Sequence, residues 1–221
     1  MEMKEMTKPE CRMTKEDRKA AFTLIELLVV IAIIAALLGL AFPVFQGVLD
    51  RAKKVQAKND VTQIVTAVNA FYTEYGKYPL VTADTIYGPG GTSSADLFYS
   101  LRAVALGANA PVNGVPAVNS RAIVFISPPD VKTPANPRSG IGTTTGAGQY
   151  YDPWGTPYLV EIDGNYDNQI ANPYTANAGA TPNLQIGVIA WSLGKDKAGA
   201  TAAASGDKKT GTYNDDVISW Q

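Results

Sequence analysis

The chain has 221 residues, no histidine, one cysteine and a formal charge of −1. Such a length allows one ordinary domain plus an additional element, while the missing histidine excludes a Ser-His-Asp hydrolase and a His-ligated zinc site. Near-neutral charge offers no broad electrostatic footprint for nucleic acid, and no nucleic-acid partner is expected.

In chain order, the first feature is the apolar run "FTLIELLVVIAIIAALLGLAFPVF", Phe22 to Phe45. A helix rising about 1.5 Å per residue would span roughly a bilayer's hydrocarbon over that run. A secretory signal places small residues after its apolar core. Here Ala20 and Ala21 come before it, directly after Arg18 and Lys19. Basic residues flank both ends, with Arg51, Lys53, Lys54 and Lys58 beyond the run, so charge does not decide its orientation. Pro43 predicts a kink.

Glu26 is the acid in this run. At the centre of a spanning helix it would cost about 2.5 to 3.5 kcal/mol, so it needs a partner or an interfacial depth. A cut between Ala21 and Phe22 would create a free amine four residues before it, which a neighbouring chain's amine could match.

From Asp50 to Pro79 the periodicity predicts an amphipathic helix, with Val61, Ile64, Val65, Val68, Phe71, Tyr72 and Tyr75 on its apolar stripe. Gly76 and Pro79 end it. The Arg51 to Lys58 charges read as a solvated or lipid-headgroup face. Between Leu80 and Tyr150 the chain is loop-rich, with a short helix in "SADLFYSLRAVAL", a buried strand at Arg121 to Ile126 and a long irregular connection after it. The C-terminal third predicts a strand near Tyr158 to Ile162, a hairpin turn at Asp163 to Asn165, a second strand in "LQIGVIAWSLG" and a third in "DDVISW". These form a small antiparallel sheet over the amphipathic helix, with Trp154, Trp191 and Trp220 as large packing residues. The run "DGNYDN" opens like a calcium-binding EF-hand loop, but Asn168 and Tyr174 stand where that loop needs glycine and glutamate, so a turn is the reading.

The stretch "AAFTLIELLVVIAIIAAL" resembles the N-terminal signature of type IV pilins and of the pseudopilins of type II secretion. The resemblance implies that a prepilin peptidase removes Met1 to Ala21 and methylates Phe22, and that Glu26, fifth in the mature chain, neutralises the N-terminal amine during assembly. Ala21 stands where the family usually has glycine. The implied fold is α+β and pilin-like, a long N-terminal helix, half membrane-spanning and half amphipathic, packed on a small antiparallel sheet. The corresponding segments are a leader at 1–21, an assembly helix at 22–45, an amphipathic helix at 46–79, a variable region at 80–150 and a C-terminal sheet at 151–221.

"DPWGTPY", "WSLGKD" and "NDDVISW" are similar to the major pseudopilin of type II secretion, which holds one calcium ion in a C-terminal loop. Typical type IV pilins close that loop with a disulfide, and Cys11 lies in the implied leader. The resemblance gives Asp196, Asp215 and Asp216 as calcium ligands, with a Leu193 carbonyl and Ser192 beside it. Calcium takes 6 to 8 oxygens, so the set is chemically suitable, although Lys195, Lys197, Lys208 and Lys209 lie close in sequence. The implied protein is a non-enzymatic subunit, single-pass in the bacterial inner membrane with a periplasmic body, later part of a filament. Its implied partners are other pseudopilins, the prepilin peptidase, the inner-membrane assembly platform and membrane lipid. A type IV pilin for adhesion or DNA uptake is the alternative, and a membrane-tethered carboxylate hydrolase ranks below both.

Overall fold

The computed structural model describes residues 23–174, 178–179, 182–199, 209 and 211–221. One helix, α1, runs Leu24–Tyr75, so the two helical stretches expected from the sequence are one element. Helical hydrogen bonding continues through Pro43. At the far end Gly76 has φ +66 and donates its N–H to the Tyr72 carbonyl at 2.8 Å, a left-handed stop that glycine adopts without a Cβ clash. The chain divides into two units, up to Gly47 and Val48–Gln221.

Within the second unit, α1 buries Ala57, Val61, Ile64, Ala67, Val68 and Phe71, a stripe at helical spacing. Tyr72 was expected on that stripe and is instead 40% exposed. One residue on from Phe71 is a rotation of about 100°, which carries Tyr72 off the stripe. Its ring lies 4.6 Å from that of Tyr78.

After α1 come β1 (Thr85–Tyr87), α2 (Ala95–Leu101) and a ribbon of β2 (Pro111–Val112) with β3 (Val115–Pro116). A second ribbon pairs β4 (Gly140–Ile141) with β5 (Tyr150–Tyr151), and β6 (Leu159–Ile162) follows. Then β7 (Ile170–Ala171) pairs with β8 (Asn183–Leu184) before β9 (Val188–Ser192) and β10 (Val217–Ile218). The main sheet has the order β1-β6-β9-β10, antiparallel throughout. This is the α+β arrangement expected, a long helix followed by a small antiparallel sheet.

Alternation along the strands gives the sheet two apolar faces. Tyr87, Tyr158, Val160, Ile162, Val188, Ala190 and Val217 join the helix stripe and Trp154 in one core. Leu159, Ile189, Trp191 and Ile218 face the other way, into a second core with Ile170, Tyr174, Ala178 and Leu184, against which Trp220 packs. Asp60, buried beside the helix stripe, accepts a 2.8 Å hydrogen bond from the Tyr158 hydroxyl, and burial still pushes its pKa up.

Two sequence expectations are corrected. Arg121 to Ile126 is not a strand: Arg121, Ala122 and Val124 are exposed, and Ala122 has φ +52. The buried Asn119 amide donates to Ser100 and Ile123 carbonyls, and Phe125 N–H donates to Leu101 O at 2.9 Å. Those bonds tie the segment to the end of α2, out of the sheet's reach. Nor does Asp163 close a hairpin between consecutive sheet strands. Its carboxylate accepts from Tyr166 N–H at 2.6 Å and Asn168 N–H at 2.7 Å, and the chain then makes the β7–β8 ribbon before β9 pairs with β6. The single strand expected within Leu184 to Gly194 is accordingly two, β8 and β9.

Glu161 lies opposite Ile86 and Ile189, 5% exposed. Burial, aided by the Asp84 charge, raises its pKa from 4.5 to about 8. A protonated Glu161 therefore favours the folded state, and the unfolded state holds fewer protons between those values. Stability of the full chain in detergent should fall as pH rises from 4.5 to 8, by at most about 1.4 kcal/mol per pH unit. Denaturant unfolding across that range should show a shallower slope for Glu161→Gln, the remainder coming from buried Asp60 and Asp152; an unchanged slope would refute the assignment.

Candidate functional site

Two regions carry the sequence-derived site residues. Of the N-terminal set, Ala21 and Phe22 lie outside the described residues, and Glu26 lies in the first turn of α1. Thr23 donates to Glu26 Oε2 from its N–H at 2.8 Å and from its hydroxyl at 2.7 Å, while Glu26 N–H donates to Thr23 Oγ1 at 3.3 Å. This is a capping box, in which residues three apart satisfy each other's donors at a helix start. The Thr-x-x-Glu spacing in "TLIE" is its sequence signal. Leu24, Ile25, Leu28, Ile31, Leu37 and Leu38 are all exposed, and their positions wind around the whole helix. Among the described residues, no helix is long and apolar enough to cross a membrane.

The second region forms where β9 ends and β10 begins. Antiparallel pairing sets Val217 opposite Ser192 and Ile218 opposite Trp191, which brings Asp215 and Asp216 back to the segment after Leu193. One carboxylate oxygen from each of Asp196, Asp215 and Asp216 lies within 4.8 Å of the others. Gly194 permits this closeness: it has φ +68, and a Cβ there would meet Asp215 Oδ2 at 2.6 Å. Asp215 Oδ2 accepts from Lys195 N–H and from Asp196 N–H at 3.1 Å, and Asp196 Oδ1 accepts from Ala198 N–H at 2.9 Å. Buried Tyr174 donates its hydroxyl to Asp216 Oδ2 at 2.7 Å. Burial, and after it Asp216's negative charge, pushes that phenol's pKa up.

Leu193 buries its side chain in the second core, leaving its main-chain carbonyl as the group to offer. The convergent donors are three carboxylates, with no nitrogen or sulfur among them, which fits a hard divalent cation such as calcium. Of the nearby lysines, Lys195 turns away to bridge Asp50 at 2.8 Å, which lowers the Asp50 pKa and raises its own. Lys197 is exposed, and Lys208 lies outside the described residues.

Sequence reading missed two residues that hold this region. Asp152, fully buried, accepts through Oδ1 from the N–H groups of Trp154, Gly155 and Thr156 at 2.9, 2.7 and 2.9 Å. Its Oδ2 accepts from Ser192 Oγ at 2.6 Å, and Ser192 Oγ in turn accepts from Gly194 N–H at 3.1 Å. "DPWGTPY" is thus a turn whose aspartate also fixes the start of the acidic loop. Burial raises the Asp152 pKa, against the lowering effect of its hydrogen bonds. Lys58, grouped with the solvated charges from sequence, is half-buried and donates to Ile218 O at 2.8 Å, to Ser219 O at 3.5 Å and to Gln221 O. Desolvation lowers its pKa.

Residues 17–42 match the family described as the prokaryotic N-terminal methylation motif. The chain is similar to the type IV major pilin protein PilA of Myxococcus xanthus, 39% identical over 61 residues. That match covers 28% of this chain and spans 28% of the relative's length. No solved structure matches the chain. The motif and the relative together support a type IV pilin-like family, and neither match is to an enzyme.

Asp152→Ala would leave the buried N–H groups of Trp154 and Thr156 and the Ser192 hydroxyl without that acceptor, while Gly155 N–H keeps the main-chain carbonyl of residue 152. At roughly 1 kcal/mol or more per orphaned donor, the loss should be about 3 kcal/mol or greater. Thermal unfolding of the detergent-solubilised chain would detect it, and a change below about 1 kcal/mol would show that Asp152 does not hold the two turns together.

Proposed function

We propose that the chain is a pseudopilin, a structural subunit that polymerises into a periplasmic type II secretion filament and assists protein export. In this reading a prepilin peptidase cuts after Ala21 and methylates Phe22. The apolar run from Phe22 to Phe45 then holds the subunit in the bacterial inner membrane, with the body in the periplasm, until the assembly platform extracts it.

The observation that carries the filament reading is the start of α1, where apolar side chains are exposed on every side of a helix whose first turn carries one acid, Glu26. Such a surface demands lipid or other copies of itself. A contact between unlike patches, repeated along an axis, gives an open helical filament and needs no catalytic group. Glu26 would then exchange its Thr23 bonds for the free amine of a neighbouring copy, a charge pair strengthened by the low dielectric of a packed filament core.

The pseudopilin assignment rests on the acidic trio. Asp196, Asp215 and Asp216, with the Leu193 carbonyl, would hold calcium and pin the loop between β9 and β10. The ion would neutralise three carboxylates that Tyr174 and backbone N–H groups partly balance. A second reading, a surface type IV pilin, is supported by the relative being named a type IV major pilin. Filaments confined to the periplasm favour the first reading, and filaments on the cell surface the second.

Peptide mass spectrometry on the protein from its native membrane should find a methylated Phe22 at the N-terminus; an uncut chain would remove the basis for assembly. Glu26→Ala should insert in the membrane normally and be lost from filaments, at least tenfold by immunoblot of sheared material, whereas normal incorporation would refute its role. Calcium should raise the melting temperature of the full chain, and Asp215→Asn with Asp216→Asn should abolish that rise. Equal melting of wild type with calcium and with chelator would exclude the ion.

A further inference from the structure

The end of α1 carries an aromatic face of unusual construction. Tyr72, Tyr78 and Tyr166 form a continuous group, with ring centroids 4.6 Å apart for Tyr72 and Tyr78 and 5.6 Å for the stacked Tyr78 and Tyr166. Tyr72 and Tyr166 are 40% and 48% exposed, so the rings face outward. Tyr166 has φ +64, a backbone state that bulky residues avoid. It is held there by the buried Asp163 carboxylate, and its hydroxyl accepts from Tyr78 N–H at 2.9 Å. Local strain is thus spent on displaying a ring.

Asp84, bonded to Gly164 and Asn165 in the turn that presents Tyr166, and Asp167, next to Tyr166 in sequence, are exposed and accept only backbone and amide N–H groups among the described residues. An aromatic face edged by carboxylates suits a cation, through ring quadrupole and charge together. At the other end of the same helical segment lies the complement. Arg51, Lys53 and Lys54 make no ion pair among the described residues, and Asp50 beside them is already bridged by Lys195. From Lys54 to Tyr72 the helix rises about 27 Å, so one copy does not join its own two patches along α1.

We propose that the Tyr72, Tyr78 and Tyr166 face, with Asp84 and Asp167, docks the Arg51 to Lys54 collar of a second copy of this chain. The contact is between unlike patches and therefore propagates, as an open filament requires. It rests on the filament reading and supplies that reading with a lateral contact outside the apolar segment.

The test uses cysteine pairs in a Cys11→Ser background, with exposed positions that leave the charged and aromatic groups in place: Val55 beside the collar and Asn69 one turn before Tyr72. Cells co-expressing Val55→Cys and Asn69→Cys chains should yield an oxidised dimer in sheared filaments, at least tenfold above either variant alone. Filaments that form without that dimer would overturn the contact while leaving the filament reading intact. Absence of filaments from the unmodified chain would overturn both. As a second arm, Asp84→Lys with Asp167→Lys should cut filament yield at least tenfold, and Arg51→Glu with Lys54→Glu should restore it. If collar reversal instead releases the subunit from phosphatidylglycerol vesicles and leaves filament yield unchanged, the collar serves lipid headgroups and the contact is refuted.

Discussion

The stripe from Ala57 to Phe71 on the second half of α1 must be covered, and the remainder of the body follows from that requirement. Each large apolar side chain removed from water contributes about 1.5 to 3 kcal/mol, and Ile64, Val68 and Phe71 are fully buried. The cover is a narrow sheet whose strands supply Val160, Ile162, Val188 and Ala190 to the helix. A strand that points these residues inward points Leu159, Ile189 and Trp191 outward, so the sheet's second face needs a cover as well. The β7–β8 ribbon, Tyr174 and Trp220 provide it, which explains why β6 and β9 are separated in sequence although adjacent in space.

Polar anchoring does the work that regular structure leaves undone. Asp152, Asp163 and Asn119 are buried and are engaged with backbone groups of neighbouring loops. Backbone donors in irregular segments need acceptors, and a short polar side chain can reach several at once. The acidic loop uses the same device with a difference: three carboxylates converge, drawing on Tyr174 and backbone N–H groups for partial balance. Such convergence is costly for like charges and becomes favourable beside a cation.

The two parts of α1 answer to different surroundings. From Val48 onward its apolar residues face one way and meet the chain's own sheet, whereas from Leu24 to Leu38 they face every way. A surface of the second kind is completed by lipid or by other apolar surfaces, and the proposed assembly starts from it. Beyond it lie exposed Tyr72 and Tyr166, and Arg51, Lys53 and Lys54, which make no ion pair among the described residues; in the proposed contact they would choose register, since charge and stacking are directional where apolar burial is not.

Helical periodicity, the Gly76 stop, the apolar N-terminal run and the main strands at Leu159–Ile162, Val188–Ser192 and Val217–Ile218 were legible from residue order alone. Each depends on spacing within a few residues, which is what a one-dimensional pattern records. The three aspartates could be picked out by resemblance, but their meeting within 4.8 Å is a product of the β9–β10 pairing. Arg121 to Ile126 reads as a strand by composition and is pulled away by hydrogen bonds to α2, partners distant in sequence. Asp152, Lys58 and the tyrosine face likewise have no local signature of their roles, because those roles lie in contacts that only the folded chain brings together. Residue order determined the elements, the long apolar helix among them; tertiary structure decided which side chains converge, because convergence depends on pairings between segments far apart along the chain.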